Sequence, residues 1–439
     1  MILIVGIFGA NFSMAQNDRQ PNIVLINVDD ISAKEFAAYG GNMKLPAVEQ
    51  LAKEGVQFKT AWASPECVPS RAVLLTGTYP HNNGNYQNQI RPDTSFLENP
   101  KHTLLFPTMK AAGYSCGMFG KMHHERNRDP KIYQADDYCL WKMWDGHDGP
   151  NHRYWHPSLV ANGEGIKTTK EDFGPEIVFN YLLDFIDKSV ANDKPFFAYC
   201  PAILAHQEKK VNENKWFFPD MPKIDKNGDR VAGTVKGTLY TMMKFQDHLV
   251  GRLIDHLEST GILENTVVIF TADNGTPGYG KGLYPSELGL RVPFIVAHGG
   301  VKKHGESDVM IDFTDILPTL LELAGYEGQI KTDGQSFAGY LYDQPNWKQK
   351  EYLKMTFMNA RWVRNRDWMI DGLGHFWDCR NTADESAFID ATYSDDPFIV
   401  AQRRKLQAVL ETLPALDEQD PKWNKTTKKL AEVYTSNDH

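Results

Sequence analysis

Hydrophobic positions along the chain fall into two alternating textures. The stretches "NIVLINVDD" (22–30), "GYSCGMFGK" (113–121), "KPFFAYC" (194–200), "NTVVIFTADNG" (265–275) and "RVPFIVAHGG" (291–300) are short, nearly continuous apolar runs. Such runs predict strands buried on both faces. Between them lie segments with helical spacing. In "LPAVEQLAKEGV" Val48, Leu51 and Ala52 share a face, with Pro46 in the first turn and Gly55 at the stop. "PSRAVLLTG" starts with Pro69 and stops at Gly77, "TLYTMMKFQDHLVGRLIDHLESTG" ends at Gly261, and "DFTDILPTLLELAGY" leads out of the main sheet. Strands alternating with helices predict an α/β fold with a large, mostly parallel sheet sandwiched by helices.

Beyond Gly334 the texture changes to short aromatic and β-branched runs, as in "YLKMTFMNARWVRNRDWMI", followed by the helical "AQRRKLQAVLETL". This predicts a catalytic-sized α/β domain over 16–334 and a smaller C-terminal antiparallel-sheet subdomain over 335–439. The opening "MILIVGIFGANFSMAQNDRQ" is apolar, too short to span a bilayer, and reaches Ser13-Met14-Ala15. It reads as a signal peptide, residues 1–15, and places the protein in the periplasm or outside the cell. No other stretch is long and apolar enough for a membrane helix.

The net charge of −9 argues against a nucleic-acid binder, which needs a broad basic surface. Five cysteines in 439 residues make no disulfide framework, and the number is odd.

Two predicted strands run into oxygen donors, Asp29-Asp30 and Asp273-Asn274. Ligands of open α/β sheets sit beyond the carboxyl ends of strands, so the two pairs can meet around a cation. Three carboxylates and an amide oxygen favour a hard divalent ion, Ca²⁺ or Mg²⁺. Taken singly, each pair more readily reads as a turn or helix cap than as a metal site. Cys67, in "CVPSRAVLLTG", stands at the N-terminus of a predicted helix, where unpaired N–H groups favour an anion, and Arg71 lies one turn on. A low-pKa nucleophilic thiol is the plain reading, but thiolates suit hard-cation sites poorly.

"CVPSRAVLLTG" resembles the C-x-P-S-R-x-x-L-L-T-G motif of the type I sulfatases, in the alkaline-phosphatase superfamily. "PNIVLINVDD", "AGYSCGMFGKMHH", "TADNG" and "KGLYPSELGLRVPFIV" are similar, in order, to further segments of that family. The resemblance implies an alkaline-phosphatase-like fold and a sulfuric ester hydrolase whose Cys67 is oxidised to formylglycine (3-oxoalanine). A formylglycine-generating enzyme or an anaerobic sulfatase-maturating enzyme would do this. It implies that Asp29, Asp30, Asp273, Asn274 and modified Cys67 hold the cation, and that the hydrated aldehyde attacks sulfur. The sulfated residue then expels sulfate through its second hydroxyl. Arg71 and Lys121 would steady the nucleophile and sulfate, His123 would contact the diol, and His206 and Lys281 would serve the leaving oxygen. At His206 the family's following proline is replaced by Gln207.

Sulfated carbohydrate is the expected substrate. The aromatic, cation-rich "YCLWKMWDGHDGPNHRYWHPSL" predicts a long loop in which His147, His152, Arg153 and His156 bind it, with His81 of "YPHNNGNY" as a further subsite residue. A folded insertion with inward tryptophans fits the same stretch. Two other functions fit parts of the pattern: a formylglycine-dependent phosphodiesterase or phosphonate monoester hydrolase, and a glycan-binding protein without chemistry.

Overall fold

The computed structural model describes residues 20–88, 101–122, 133–141, 152–210, 215–282, 287–358, 360–380 and 382–414. The signal-peptide expectation for 1–15 lies outside these residues.

Ten strands form the main sheet. From one edge they are Gly305–Asp312, Gly55–Trp62, Phe294–Ala297, Thr266–Ala272, Asn22–Val28, Phe196–Pro201, Ser115–Gly120, Asp137–Trp141, Leu159–Ala161 and Glu164–Gly165. Only Phe294–Ala297 and Leu159–Ala161 run against the rest, as their antiparallel pairings on both sides show. The central strands Asn22–Val28 and Thr266–Ala272 are buried at every position, which accounts for their unbroken apolar sequence. Their register sets Val28 beside Ala272 and so brings Asp29 level with Asp273.

Helices cover both faces. Pro46–Glu54, Gly174–Ala191 and Leu239–Ser259 pack as one layer, and Cys67–Thr76, Leu105–Ala111 and Ile316–Leu323 as the other. The strands Gly55–Trp62 and Gly305–Asp312 were not among the sequence expectations. "VQFKTAW" carries polar Gln57 and Lys59 among its apolar residues, and "GESDVMID" begins polar.

The C-terminal region forms a five-stranded antiparallel sheet, Leu353–Phe357, Ala360–Arg364, Trp368–Asp371, Phe376–Asp378 and Ile389–Asp390. The helix Pro397–Leu410 packs on it through Leu406 and Leu410. A second apolar cluster joins this sheet to the main body, with Trp62, Tyr79 and Leu290 meeting Leu353, Met355 and Trp362. Among the described residues no helix is long and apolar enough to cross a membrane.

Candidate active site

Every side chain of the central cluster follows the carboxyl end of a parallel strand. Asp29 and Asp30 continue Asn22–Val28, and Asp273 and Asn274 continue Thr266–Ala272. Lys121 continues Ser115–Gly120, His206 lies five residues past Phe196–Pro201, and Cys67 lies five past Gly55–Trp62. Asp30 adopts φ 61°, a left-handed conformation that aspartate tolerates better than most residues. Its N–H donates to Asp273 Oδ1 at 3.1 Å, tying the two acid pairs together. Gly120, at φ 137°, is required: a Cβ there would lie 2.0 Å from the Pro201 carbonyl oxygen. The close approach lets Lys121 N–H donate to that same oxygen at 2.7 Å.

Cys67 is the first residue of the helix Cys67–Thr76, as its sequence predicts, and Gly77 at φ 64° ends the helix. Arg71, one turn on, is fully buried. Its Nε and Nη2 donate to Asp273 Oδ2 at 3.0 and 2.8 Å, and Nη1 donates to the Lys121 carbonyl at 3.0 Å. Lys121 Nζ lies 2.5 Å from Asp29 Oδ2 and 3.6 Å from Cys67 Sγ. Lys281 Nζ mirrors it, 2.5 Å from Asp30 Oδ1 and 3.7 Å from Cys67 Sγ. Asn274 Nδ2 donates to Asp30 Oδ1 at 2.8 Å.

Three carboxylates thus face three cations around Cys67. Burial opposes the Asp29 charge, but Lys121, with Arg71 and Lys281 behind it, holds the carboxyl well below its usual value. Burial raises Asp30, and Lys281 restrains the rise. Burial and the neighbouring Asp29 charge push Asp273 up to about 6. Burial also pushes the Cys67 thiol up to about 11 in spite of Lys121 and Lys281. Lys121 and Lys281 alone do not offset the loss of solvent at the thiol.

Two buried oxygens in this cluster, Asp29 Oδ1 and Asn274 Oδ1, have no hydrogen-bond partner. Buried polar atoms are almost always satisfied, so orphaned oxygens within an acidic cluster fit a place that binds a cation. Donor atoms of Asp29, Cys67 and Asp273 lie within 4.8 Å of one another, and so do those of Asp29, Asp30 and His206. An oxygen-dominated set of this kind fits a hard divalent cation.

His206 stands at the cluster's rim, Nε2 3.6 Å from Asp30 Oδ2. Burial and then Lys121 hold its imidazole well below its usual value, so it is neutral. Its Nδ1 has Arg153 Nη1 at 2.7 Å and the Gln207 carbonyl at 2.6 Å. Arg153 reaches the cluster as a buried guanidinium stacked 4.2 Å over Trp141.

The other sequence expectations fare differently. The stretch read as one long loop begins as the strand Asp137–Trp141 with Trp141 buried, so its first part is the folded insertion. His152 and His156 line a separate cavity of about 680 Å³ with Trp155, Lys170, Glu208 and Phe217. His81 follows the far end of the Cys67 helix, stacked on Tyr79 and 3.0 Å from Thr356 Oγ1. His123 and His147 lie outside the described residues.

Sequence reasoning missed Glu66 and Asn88. The Asn88 side chain accepts from Val68 N–H at 3.1 Å, and the Asn88 backbone N–H donates to Glu66 Oε2 at 2.8 Å. They brace the first turn of the Cys67 helix. Nothing in their spacing marks them, because the contact spans a loop.

Comparison with known proteins places these residues in context. A match to the Sulfatase family spans residues 21–326. The chain is 28% identical over 392 residues to N-acetylglucosamine-6-sulfatase of Homo sapiens, covering 79% of this chain and 69% of that one. It is 24% identical over 445 residues to an ulvan-active sulfatase of Formosa agariphila, covering 96% and 83%. Among solved structures, PsFucS1 sulfatase from Pseudoalteromonas sp. superposes with a TM-score of 0.67 at 20% identity, covering 91% and 92%. Ps i-CgsB in complex with k-i-k-neocarrahexaose gives 0.70 at 21% identity, covering 92% and 95%.

Proposed function

This chain belongs to the sulfatase family, enzymes that hydrolyse sulfate esters, and from that premise we propose that it desulfates a carbohydrate with Cys67 in its formylglycine form. The observation that carries the proposal is the pair of orphaned oxygens, Asp29 Oδ1 and Asn274 Oδ1, in the cluster that holds Cys67 between two lysines.

Asp29, Asp30, Asp273, Asn274 and modified Cys67 would hold the cation, Ca²⁺ or Mg²⁺. Such an ion supplies Lewis acidity toward a sulfate oxygen and toward a hydroxyl bound to it. Formylglycine supplies a hydrated aldehyde that can attack sulfur and later release sulfate. The chain's own residues do the rest. Arg71 fixes Asp273 by two hydrogen bonds and is itself fixed by the Lys121 carbonyl. Lys121 and Lys281 place positive charge on two sides of position 67, where sulfate oxygens must lie. The charges also count in favour: three carboxylates and three cations cancel, so a divalent ion leaves an excess that suits a sulfate monoester. His206, neutral and at the rim, can donate a hydrogen bond to the departing oxygen. His123 takes the diol-contacting role, and His81 and His147 the outer subsites.

Carbohydrate as substrate is supported by the names of the relatives, an N-acetylglucosamine-6-sulfatase and an ulvan-active sulfatase. Arg153 beside His206, and the cavity lined by His152 and His156, suit a polar, anionic substrate. The unit 16–334 carries the chemistry and 335–439 buttresses it. The protein works outside the cytoplasm, after a formylglycine-generating or anaerobic sulfatase-maturating enzyme has acted on Cys67.

The test is sulfate release from a panel of defined sulfated oligosaccharides, with mass analysis of the peptide around residue 67. Release together with formylglycine is expected. Turnover of an aryl phosphate diester in preference to every sulfate ester would replace this reading with the phosphodiesterase one.

A further inference from the structure

Two short strands beyond His206, Glu208–Lys209 and Trp216–Phe217, pair with Glu208 opposite Phe217 and Lys209 opposite Trp216. Side chains alternate across a strand and directly opposed residues share a face. Glu208 and Phe217 line the side cavity, so the hairpin turns one face that way. Glu208 is buried, and its Oε1 accepts from Arg153 N–H at 3.1 Å, which anchors the hairpin. Trp216 belongs to the other face. Its ring centroid lies 5.5 Å from that of His206, at 63° between planes.

Trp216 is 51% exposed and is the one tryptophan among the exposed large hydrophobic side chains of the described residues. Lys209 Nζ, 5.9 Å from the indole centroid, is at the outer limit of a cation–π contact and holds the ring weakly. An aromatic face is therefore presented to solvent beside the residue that serves the leaving oxygen.

We propose that Trp216 is the platform on which the sugar ring of the sulfate ester stacks, its C–H face against the indole, beside His206. The inference rests on the proposed function and adds the element that selects a pyranose over a small ester. Aromatic rings offer large, rigid contact area at low entropic cost, and the wet edges of the sugar keep their hydroxyls in solvent. Because the leaving group, and not the sulfate, touches Trp216, its loss should weaken substrate binding more than it slows turnover.

The experiment uses the full-length, matured enzyme and a panel of sulfated mono- and disaccharides of glucosamine, galactosamine, galactose and fucose. On the best substrate, Trp216→Ala is expected to raise KM about tenfold, with kcat falling less than threefold. Trp216→Phe should restore KM to within about threefold of wild type. Trp216→Leu, which keeps apolar bulk without a flat face, should behave as the alanine variant. Inhibition by inorganic sulfate, which needs only the cationic end of the site, should change less than twofold. Unchanged KM in the alanine and leucine variants would overturn the platform, as would a parallel loss of sulfate inhibition, which would mean that Trp216 acts through His206. A wild-type enzyme that desulfates no member of the panel would instead overturn the carbohydrate reading, and this inference with it.

Discussion

Cys67 and Asp273 are both fully buried, yet their loss should be felt in different currencies. Cys67→Ala removes one atom from a small side chain, which costs about 1 kcal/mol in a packed interior. Turnover should vanish while urea unfolding shifts little; a variant that still releases sulfate would end the case for position 67. Asp273→Ala removes one member of a buried ion pair and leaves the Arg71 guanidinium with only Asp29 Oδ2 at 3.6 Å and the Lys121 carbonyl. Breaking such a pair costs about 3–5 kcal/mol, so unfolding measurements should show a large drop besides the loss of activity. Lys121→Ala belongs with the chemistry, since its amine bridges Asp29 and Cys67. A rate loss of about a hundredfold or more is expected in kcat.

At the scale of elements, Gly120 decides where Lys121 points. Gly120→Ala sets a Cβ against the Pro201 backbone in a region that L residues rarely adopt. A melting-temperature drop equivalent to about 2–4 kcal/mol, with most activity lost, is expected. The sheet's interior was legible because its strands are buried on both faces and so carry unbroken apolar runs, as in Asn22–Val28 and Thr266–Ala272. Gly55–Trp62 was not, since Gln57 and Lys59 interrupt its pattern. The cluster was legible where its residues directly follow a strand, as Asp29 and Asp273 do. Glu66, Asn88 and Trp216 act through contacts that the chain makes only on folding, and no spacing announces them. Cys67 stands at the helix start that its sequence predicts, where burial raises the thiol.

Away from the active-site cluster, Asp247 is a buried carboxylate that works against the stability of the molecule as a whole. Asp247, on the helix Leu239–Ser259, accepts from Val48 N–H at 2.9 Å in the first turn of Pro46–Glu54. Burial nonetheless pushes it up to about 6 from 3.8. The folded state therefore binds this proton more tightly than the unfolded state does, so stability falls as pH rises through 4 to 6 and stays lower above. Asp247→Asn keeps the acceptor and removes the charge. In urea it should gain about 1–2 kcal/mol over wild type at pH 8, an advantage that fades by pH 4. Farther out, Glu287 holds the segment after Lys281 to the C-terminal sheet: Arg364 Nη1 and Trp62 Nε1 both donate to its Oε1. Each carboxylate around Cys67 already has a cationic side chain against it. Exhaustive chelation should thus abolish turnover reversibly while the circular dichroism spectrum stays folded.

The strand Thr266–Ala272 lies beside Asn22–Val28 at the middle of the sheet, although some 240 residues of chain separate them. A growing polypeptide must therefore keep a place open at its centre until late in synthesis. Any product cut short before that strand emerges would lack its keystone as well as Asp273 and Asn274, so a shortened form should be wholly inert, with no graded residue of activity.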